Sequence, residues 1–297
     1  MAHSSRSTFS GHVVLITGGA RGIGAGVARG YVAAGGRVAL VGLEPNLLTD
    51  LVAELGDSAA FWEADVRDSA ALKVAIDAAA QHFGRIDHVL ANAGIASYGT
   101  VRQIDDAAFE RVLDINVNGV FRTLKHATPH LERSKGYALT IASLASFGPM
   151  AGLASYTASK AGAETLTLAY KQEVAHLGID VGVCHPGWID TDIVRGAEAD
   201  LPTFRAIREK LPYPANSTTT VEECAEQILR GFAKRKARVY VPKGVGLANW
   251  GKALINSPLG FKATQKEAAE NVPQLESEVE ALGGRFHHAH VPNADLG

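Results

Sequence analysis

Short apolar runs alternate with longer helix-forming stretches along most of this chain. The pattern predicts strands at residues 13–17, 37–41, 59–63, 88–91, 137–142, 179–185 and 238–241. These runs are apolar throughout, which is typical of strands covered by helices on both faces. Helices are predicted at 24–34, 46–55, 69–83, 109–133 and 155–177. The order predicts an α/β fold with a Rossmann-type, doubly wound parallel sheet of about seven strands.

The alternation stops after residue 241, so we predict one domain at 10–243 and a C-terminal extension at 244–297. Residues 242–261 mix Gly, Pro, Asn and aromatic residues, and 263–282 are acidic and helix-like but interrupted by Pro273. From residue 283 the chain looks loose, and a solvated stretch is a better interpretation of His287, His288 and His290 than a metal site.

The extension is expected to pack on its own domain or on a partner subunit. Membrane contact by residues 245–261 is the alternative, but a clean amphipathic stripe is interrupted. The interrupting residues are Asn249, Lys252, Asn256 and Pro258.

Composition narrows the class of protein. The 297 residues carry a net charge of −2. This charge implies no overall electrostatic attraction to nucleic acid or to a membrane surface. The two cysteines, Cys184 and Cys224, fit a reducing compartment, and no metal-type Cys pair is present. With no secretory h-region at the start and no apolar run long enough for an integral membrane segment, we expect a cytoplasmic protein without a metal.

A glycine-rich loop links the first predicted strand to the first predicted helix, with the sequence TGGARGIG at residues 17–24. Gly18 allows the tight turn, Gly22 lets the backbone approach a pyrophosphate, and Gly24 lets helix and strand pack closely. The helix N-terminus adds unpaired N–H groups for the anion. The loop therefore predicts dinucleotide binding by Thr17, Gly18, Ala20, Arg21, Gly22, Ile23 and Gly24.

The end of the second strand bears on which dinucleotide binds. Gly42 and Leu43 precede Glu44, whose carboxylate suits a ribose hydroxyl and repels a 2′-phosphate. Arg21 favours NADP instead, because its guanidinium could pair with that phosphate. The sequence favours NAD and leaves NADP open.

Three residues near the sheet's carboxyl edge suggest proton-transfer chemistry. Tyr156 and Lys160 are four residues apart in a predicted helix and share a face. A phenol with a pKa of about 10 is a poor base at neutral pH, but a nearby ammonium favours the phenolate. Ser143 follows a predicted strand, where it would hold a substrate oxygen.

These motifs together resemble those of the short-chain dehydrogenase/reductase family over most of residues 10–243. The TGxxxGxG loop, the YxxxK pair and Ser143 match, as do Asn116 in DINVNG and the Asn92-Ala93-Gly94 segment, although Ala91 departs from the usual N-N-A-G. The resemblance implies further cofactor contacts from Asp65, Val66, Asn92, Ala93, Gly94, Tyr156, Lys160, Pro186, Gly187, Ile189 and Thr191.

The resemblance also implies a mechanism. Ser143 and Tyr156 bind the oxygen of an alcohol or ketone substrate, and Tyr156 transfers the proton. Lys160 lowers the Tyr156 pKa and holds the nicotinamide ribose, while Asn116 keeps a water that links Lys160 to solvent. The expected activity is hydride transfer between NAD(P) and a secondary alcohol or carbonyl (EC 1.1.1.-).

Residues 187–218 have no strand pattern, and in the family this region is a mobile lid. Its apolar residues, with others at 147–153, indicate either a lipophilic substrate or simple packing of the lid. They are Trp188, Ile189, Ile193, Val194, Leu201, Phe204, Ile207, Leu211 and Tyr213 in the lid, and Phe147, Met150 and Leu153 opposite.

Two other functions remain open at this stage. A nucleotide-sugar epimerase or lyase would use the same Tyr–Lys pair, but such relatives usually have a TGxxGxxG loop. A non-enzymatic dinucleotide sensor would need a broken active site, and Asn116, Ser143, Tyr156 and Lys160 are all present. The resemblance further implies a homodimer or homotetramer formed through the long helices at 118–133 and 155–177.

Overall fold

The computed structural model describes residues 8–211, 213 and 216–282. Seven strands form one parallel sheet in the order β3-β2-β1-β4-β5-β6-β9, and β7 pairs with β8 in a separate two-stranded ribbon. The strands are β1 (Val13–Thr17), β2 (Arg37–Gly42), β3 (Ala59–Glu63), β4 (His88–Ala91), β5 (Tyr137–Ile141), β6 (Asp180–Pro186), β7 (Trp188–Ile189), β8 (Thr218–Thr219) and β9 (Arg238–Val241). This confirms the predicted fold class.

Helices cover the sheet and extend beyond it. They are α1 (Gly22–Ala33), α2 (Pro45–Leu55), α3 (Ser69–Phe83), α4 (Asp106–Leu113), α5 (Gly119–Ser134), α6 (Ala154–Glu173), α7 (Asp192–Asp200), α8 (Pro202–Lys210), α9 (Val221–Ala233), α10 (Val245–Trp250), α11 (Lys252–Ile255) and α12 (Pro258–Ala281). Local signals set some of these bounds. The Asp68 carboxylate accepts hydrogen bonds from the first turn of α3, and Gly84 ends that helix at φ +79°.

Both faces of the sheet are buried, which explains the uninterrupted apolar runs. Val13 and Leu15 of β1 belong to one hydrophobic cluster, while Val14 and Ile16 belong to another. Because successive side chains of a strand point to opposite faces, a strand with two buried faces favours apolar residues at most positions.

The predicted helix at 109–133 has a more complex form. It begins earlier, at Asp106, and a π-helical turn at Asp114–Asn118 separates α4 from α5. The predicted helix at 155–177 ends as a 3₁₀ turn, Ala175–Leu177, after α6. Helix α9 lies in a part of the chain where no helix was predicted.

Two predictions about the C-terminal half were wrong. The 187–218 segment is not free of strands, since Trp188–Ile189 pairs with Thr218–Thr219 and brackets helices α7 and α8. Helix α12 also continues through Pro273. A proline inside a helix costs about 3 kcal/mol, so contacts made beyond it must offset that loss.

Those contacts tie α12 to the lid. Leu275 and Val279 are buried in an apolar cluster with Tyr98, Leu153 and Phe204. The division of the chain at residue 243 stays a prediction, but this end of the extension packs on the preceding part of the molecule.

Two carboxylates of α12 add polar contacts on either side of this cluster. Glu276 accepts a 2.7 Å hydrogen bond from the Thr100 hydroxyl. Glu278 accepts hydrogen bonds from the backbone N–H of Thr203, at 3.0 Å, and from its hydroxyl, at 2.7 Å. Helix α8 has no cap from its own N-cap side chain, so Glu278 of α12 supplies one.

No helix among the described residues combines the length and hydropathy that crossing a membrane requires. Among the same residues, no group of three or more His, Cys, Asp or Glu side chains is arranged to hold a metal ion.

We expect Leu275→Ala to loosen α12. Removal of a buried leucine side chain costs about 2–5 kcal/mol, and here the loss falls on the contact between α12 and the lid. Hydrogen exchange should show faster amide exchange in α12 and α8, whereas Leu247→Ala, at an exposed leucine, should leave both unchanged. Unaltered protection of α12 in Leu275→Ala would show that the cluster does not hold the helix.

Candidate active site

A cleft opens at the carboxyl ends of the central strands, where the strand order reverses between β1 and β4. Most of the predicted site residues line it. They are Gly18, Arg21, Gly22, Ile23, Gly42, Leu43, Glu44, Asp65, Val66, Asn92, Ala93, Gly94, Ser143, Tyr156, Lys160, Pro186, Gly187, Ile189 and Thr191. Four predicted residues are not on the cleft wall, namely Thr17, Ala20, Gly24 and Asn116.

The glycine-rich loop has the geometry that its sequence predicts. Gly18 and Gly22 adopt φ +65° and +53°, in the left-handed region. A Cβ at Gly24 would lie 2.4 Å from the Gly18 carbonyl oxygen, so that position requires glycine for close packing rather than for ligand contact. Helix α1 begins at Gly22 without a side-chain cap, which leaves N–H groups of its first turn for an anion.

Thr17 and Asn92 explain why the loop keeps its shape. The Asn92 amide donates hydrogen bonds to the carbonyl oxygens of Thr17, at 3.0 Å, and Gly18, at 2.9 Å. The Thr17 hydroxyl in turn accepts from the Asn92 backbone N–H at 3.2 Å. Thr17 therefore fastens the loop to the end of β4 from behind the cleft.

Arg21 lies between two carboxylates at the cleft. Its Nε is 3.1 Å from Glu44 Oε1, and its Nη1 is 3.3 Å from Asp192 Oδ2 on lid helix α7. The guanidinium thus joins the end of β2 to the lid.

Tyr156, Ser143 and Lys160 meet where β5 ends and α6 begins. Lys160 is buried, its Nζ donates to the Ile141 carbonyl oxygen at 3.0 Å, and it lies 5.8 Å from the centroid of the Tyr156 ring. Burial lowers the pKa of Lys160 to about 8. Burial raises the pKa of Tyr156, and its hydrogen bond with Ser143 lowers it. The lowering of the Tyr156 pKa by Lys160 stays a prediction.

The π-helical turn positions Asn116 beneath these groups. The Asn116 side chain exchanges two 2.9 Å hydrogen bonds with the backbone of Ile95 and donates a third to the Ser159 hydroxyl. A Cβ at Gly94 would lie 3.2 Å from Asn116 Oδ1 and 3.3 Å from Lys160 Nζ. Asn116 therefore sits directly behind the cleft wall beside Lys160. Single π turns occur frequently at functional sites.

The apolar residues predicted for the substrate side divide into two groups. Ile189, Ile193 and Val194 line the cleft. Leu201, Phe204 and Leu153 are buried against α12, and Phe147 is buried beside His185 and does not line the cleft. Tyr213 is exposed. Packing of the lid therefore accounts for the buried group. The lipophilic substrate inferred from the cleft-lining group stays a prediction.

Comparison with known proteins identifies the family. A sequence profile described as "short chain dehydrogenase" matches residues 12–202. The chain belongs to the short-chain dehydrogenase family.

This dehydrogenase is similar in sequence to several named enzymes over about three quarters of its length. It is 34% identical over 225 residues to cis-4-hydroxycyclohexanecarboxylate dehydrogenase of Sinomonas cyclohexanicum, which covers 74% of this chain and 88% of the relative. Identity to 3-alpha-(or 20-beta)-hydroxysteroid dehydrogenase of Mycobacterium tuberculosis is 32% over 230 residues, with coverage of 74% and 88%. Identity to zerumbone synthase of Zingiber zerumbet is 32% over 227 residues, with coverage of 75% and 77%.

Family membership confirms the predicted activity. The dehydrogenase is an oxidoreductase that acts on CH–OH groups and uses a nicotinamide dinucleotide. This outcome supports neither the epimerase nor the sensor alternative.

Some cleft residues were absent from the sequence prediction. Arg67, Arg111 and Asp192 also line the cleft. Arg67 is held by Asp65, with its Nε 2.8 Å from Asp65 Oδ2. Asp192 carried a weak signal, because it directly follows a predicted cofactor residue, Thr191. Arg111 carried none, since a charged residue on a helix is ordinarily a surface residue.

The buried ammonium of Lys160 predicts how stability depends on pH. Its pKa is about 8 when folded and 10.5 in its unperturbed state. Between these pH values the unfolded chain binds a proton that the folded protein does not, so the free energy of unfolding rises with pH by about 3 kcal/mol through this residue.

Denaturant titrations from pH 8 to 10.5 check this expectation. We expect Lys160→Met to lose that rise, whereas Lys125→Met, at an exposed lysine on α5, retains it. The same slope in wild type and Lys160→Met would show that burial does not perturb the ammonium.

Proposed function

We propose that the protein is an NAD-dependent dehydrogenase of lipophilic, alicyclic secondary alcohols and the corresponding ketones. One observation carries the proposal: Ser143, Tyr156 and Lys160 converge in the same cleft as the glycine-rich loop. Relatives named for a hydroxycyclohexanecarboxylate and for hydroxysteroids share a hydroxyl on a saturated ring and support the substrate class.

The walls of the cleft suit such a substrate. Ile95, Ile189, Ile193 and Val194 face it with aliphatic side chains, and Ser143 and Tyr156 provide hydrogen-bonding groups. A mostly apolar site with few converging polar groups orients a ring through its one hydroxyl.

The residues around Tyr156 are assigned proton transfer and orientation. Ser143 and Tyr156 hydrogen-bond the substrate oxygen, and the Tyr156 hydroxyl exchanges a proton with it. The bound nicotinamide supplies the hydride chemistry. Because burial keeps the Tyr156 pKa high, oxidation of an alcohol needs a cation beside the phenol, and the Lys160 ammonium is that cation.

Asn116 is assigned to the exit path of the proton. Its amide is fixed on Ile95 and Ser159, beside Lys160 Nζ and behind Gly94. From that position it orients a water that links Lys160 to solvent. Thr17, Ala20 and Gly24 are assigned to shaping the cofactor loop, with Gly18, Arg21, Gly22 and Ile23 on its ligand side.

Tyr156→Phe tests the assignment of proton transfer. With substituted cyclohexanols and 3-hydroxysteroids as substrates, we expect kcat to fall about 10²- to 10⁴-fold, because the transferable proton is lost. NADH binding, measured by fluorescence, should persist. Tyr170→Phe is the matched control, since Tyr170 lies on the same helix and its hydroxyl bonds only Thr128 among the described residues. Turnover near the wild-type rate in Tyr156→Phe would refute the mechanism.

The preference for NAD rests on the environment of Arg21. A 2′-phosphate at the end of β2 would meet the carboxylate of Glu44, which lines the cleft there. Arg21 is already paired with Glu44 and with Asp192, so its charge is offset from two sides. A ribose hydroxyl instead gains an acceptor in Glu44.

Glu44→Gln should shift this preference. Loss of the negative charge is expected to raise the kcat/KM ratio for NADP over NAD by about tenfold, equivalent to about 1.4 kcal/mol. Glu54→Gln is the control, because Glu54 on α2 pairs with Arg29 on α1 at the exposed surface. Steady-state kinetics with both cofactors measure this ratio for the wild type and both variants. A wild-type preference for NADP would overturn the NAD assignment.

We also propose that the protein assembles as a homodimer or homotetramer through α5 and α6. Phe121 on α5 is a large apolar side chain exposed on the single subunit, and Ala169 on α6 is a small exposed residue that allows close approach of a neighbouring helix.

A further inference from the structure

The segment that joins β9 to α12 exposes an unusual amount of apolar surface. Six of the twelve exposed large apolar side chains in the described part of the chain lie within residues 247–261. They are Leu247, Trp250, Leu254, Ile255, Leu259 and Phe261, with Trp250 88% exposed. Concentrated exposure of this kind marks an interaction surface.

Two of the residues that interrupt the apolar pattern in sequence, Asn256 and Lys252, contact the core. The Asn256 amide donates to the carbonyl oxygen of Phe147 at 2.8 Å. Lys252 Nζ lies 3.7 Å from Glu164 Oε2, whose side chain is buried, and above the Phe147 ring. These contacts hold the segment on the core while its apolar side chains remain outside.

The charge of this segment has one sign. Residues 243–266 contain Lys243, Lys252, Lys262 and Lys266 and no Asp or Glu. Three of these lysines, all but Lys252, are exposed. Exposed Trp, Phe and Leu side chains accompanied by lysines are the composition of segments that lie in the interface of an anionic membrane.

We propose that residues 243–266 dock this dehydrogenase on the surface of a bilayer that contains anionic lipids. The apolar side chains enter the boundary between headgroups and acyl chains, and the lysines contact the lipid phosphates. A second copy of the chain fits this surface less well. A two-fold contact would place the segment against itself and bring lysines near lysines.

Docking has a consequence for the active site. Phe147, which anchors the segment through Asn256, lies four residues after Ser143 and on the same loop. The bilayer would therefore lie next to the loop that carries Ser143, where a lipophilic alcohol dissolved in the membrane is most concentrated.

Vesicle co-sedimentation of the full-length protein tests the proposal without cofactor or substrate. We expect binding to vesicles of phosphatidylcholine and phosphatidylglycerol, weaker binding to phosphatidylcholine alone, and loss of binding as salt is added. Trp250→Ser should weaken binding at least about tenfold. Lys262→Gln and Lys266→Gln should each weaken it about fivefold.

Val101→Ser is the matched control, since Val101 is 76% exposed and lies outside the segment. It should bind vesicles as the wild type does. The circular dichroism spectrum and the thermal unfolding midpoint of each variant show whether folding is intact.

Two results would overturn the proposal. One is no binding of the wild type to either vesicle type, and the other is binding that Trp250→Ser leaves unchanged. If the wild type does not bind vesicles and Trp250→Ser dissociates an oligomer in sedimentation equilibrium, the segment belongs to a subunit interface. Since none of these measurements involves turnover, failure here is distinguishable from failure of the proposed dehydrogenase function.

Discussion

Burial of the central sheet on both faces is the constraint on which the rest of the molecule depends. Strands such as β1 have no face in contact with water, so polar groups along their length would lack partners. Ligand-binding groups are therefore confined to strand ends and to the turns beyond them. Parallel strands bring all their carboxyl ends to one edge, and the cofactor loop, Glu44, Asn92 and Ser143 meet there.

The same constraint explains which elements the sequence reveals. A strand with two buried faces favours apolar residues at most positions, so all seven strands of the main sheet were recognised from their runs alone. Helix α12 is the opposite case, because its local sequence signal is misleading. Pro273 suggests an interruption, but Leu275 and Val279 find buried partners in the lid, and that tertiary packing outweighs the local preference. Such partners lie far away in sequence and leave no local trace.

The residues of the site also differ in how well the sequence predicts their arrangement. Short motifs encode the loop at residues 17–24 and the Tyr156–Lys160 pair, because their geometry depends on spacing within one turn or one helix. The contact of Arg21 with Asp192 joins residues 171 positions apart, and no local pattern indicates it. The resemblance to a family located Asn116, but only the structure shows the π turn that positions it.

The capping of α8 by Glu278 has a consequence for the order in which the protein is made. A ribosome releases the sheet strands and both lid helices before it releases α12. Until then, the N-terminus of α8 lacks its acceptor, and Leu201 and Phe204 lack Leu275 and Val279. The nascent chain is therefore able to complete its parallel sheet while its lid is still unanchored. The lid is therefore anchored only after the sheet strands have been made.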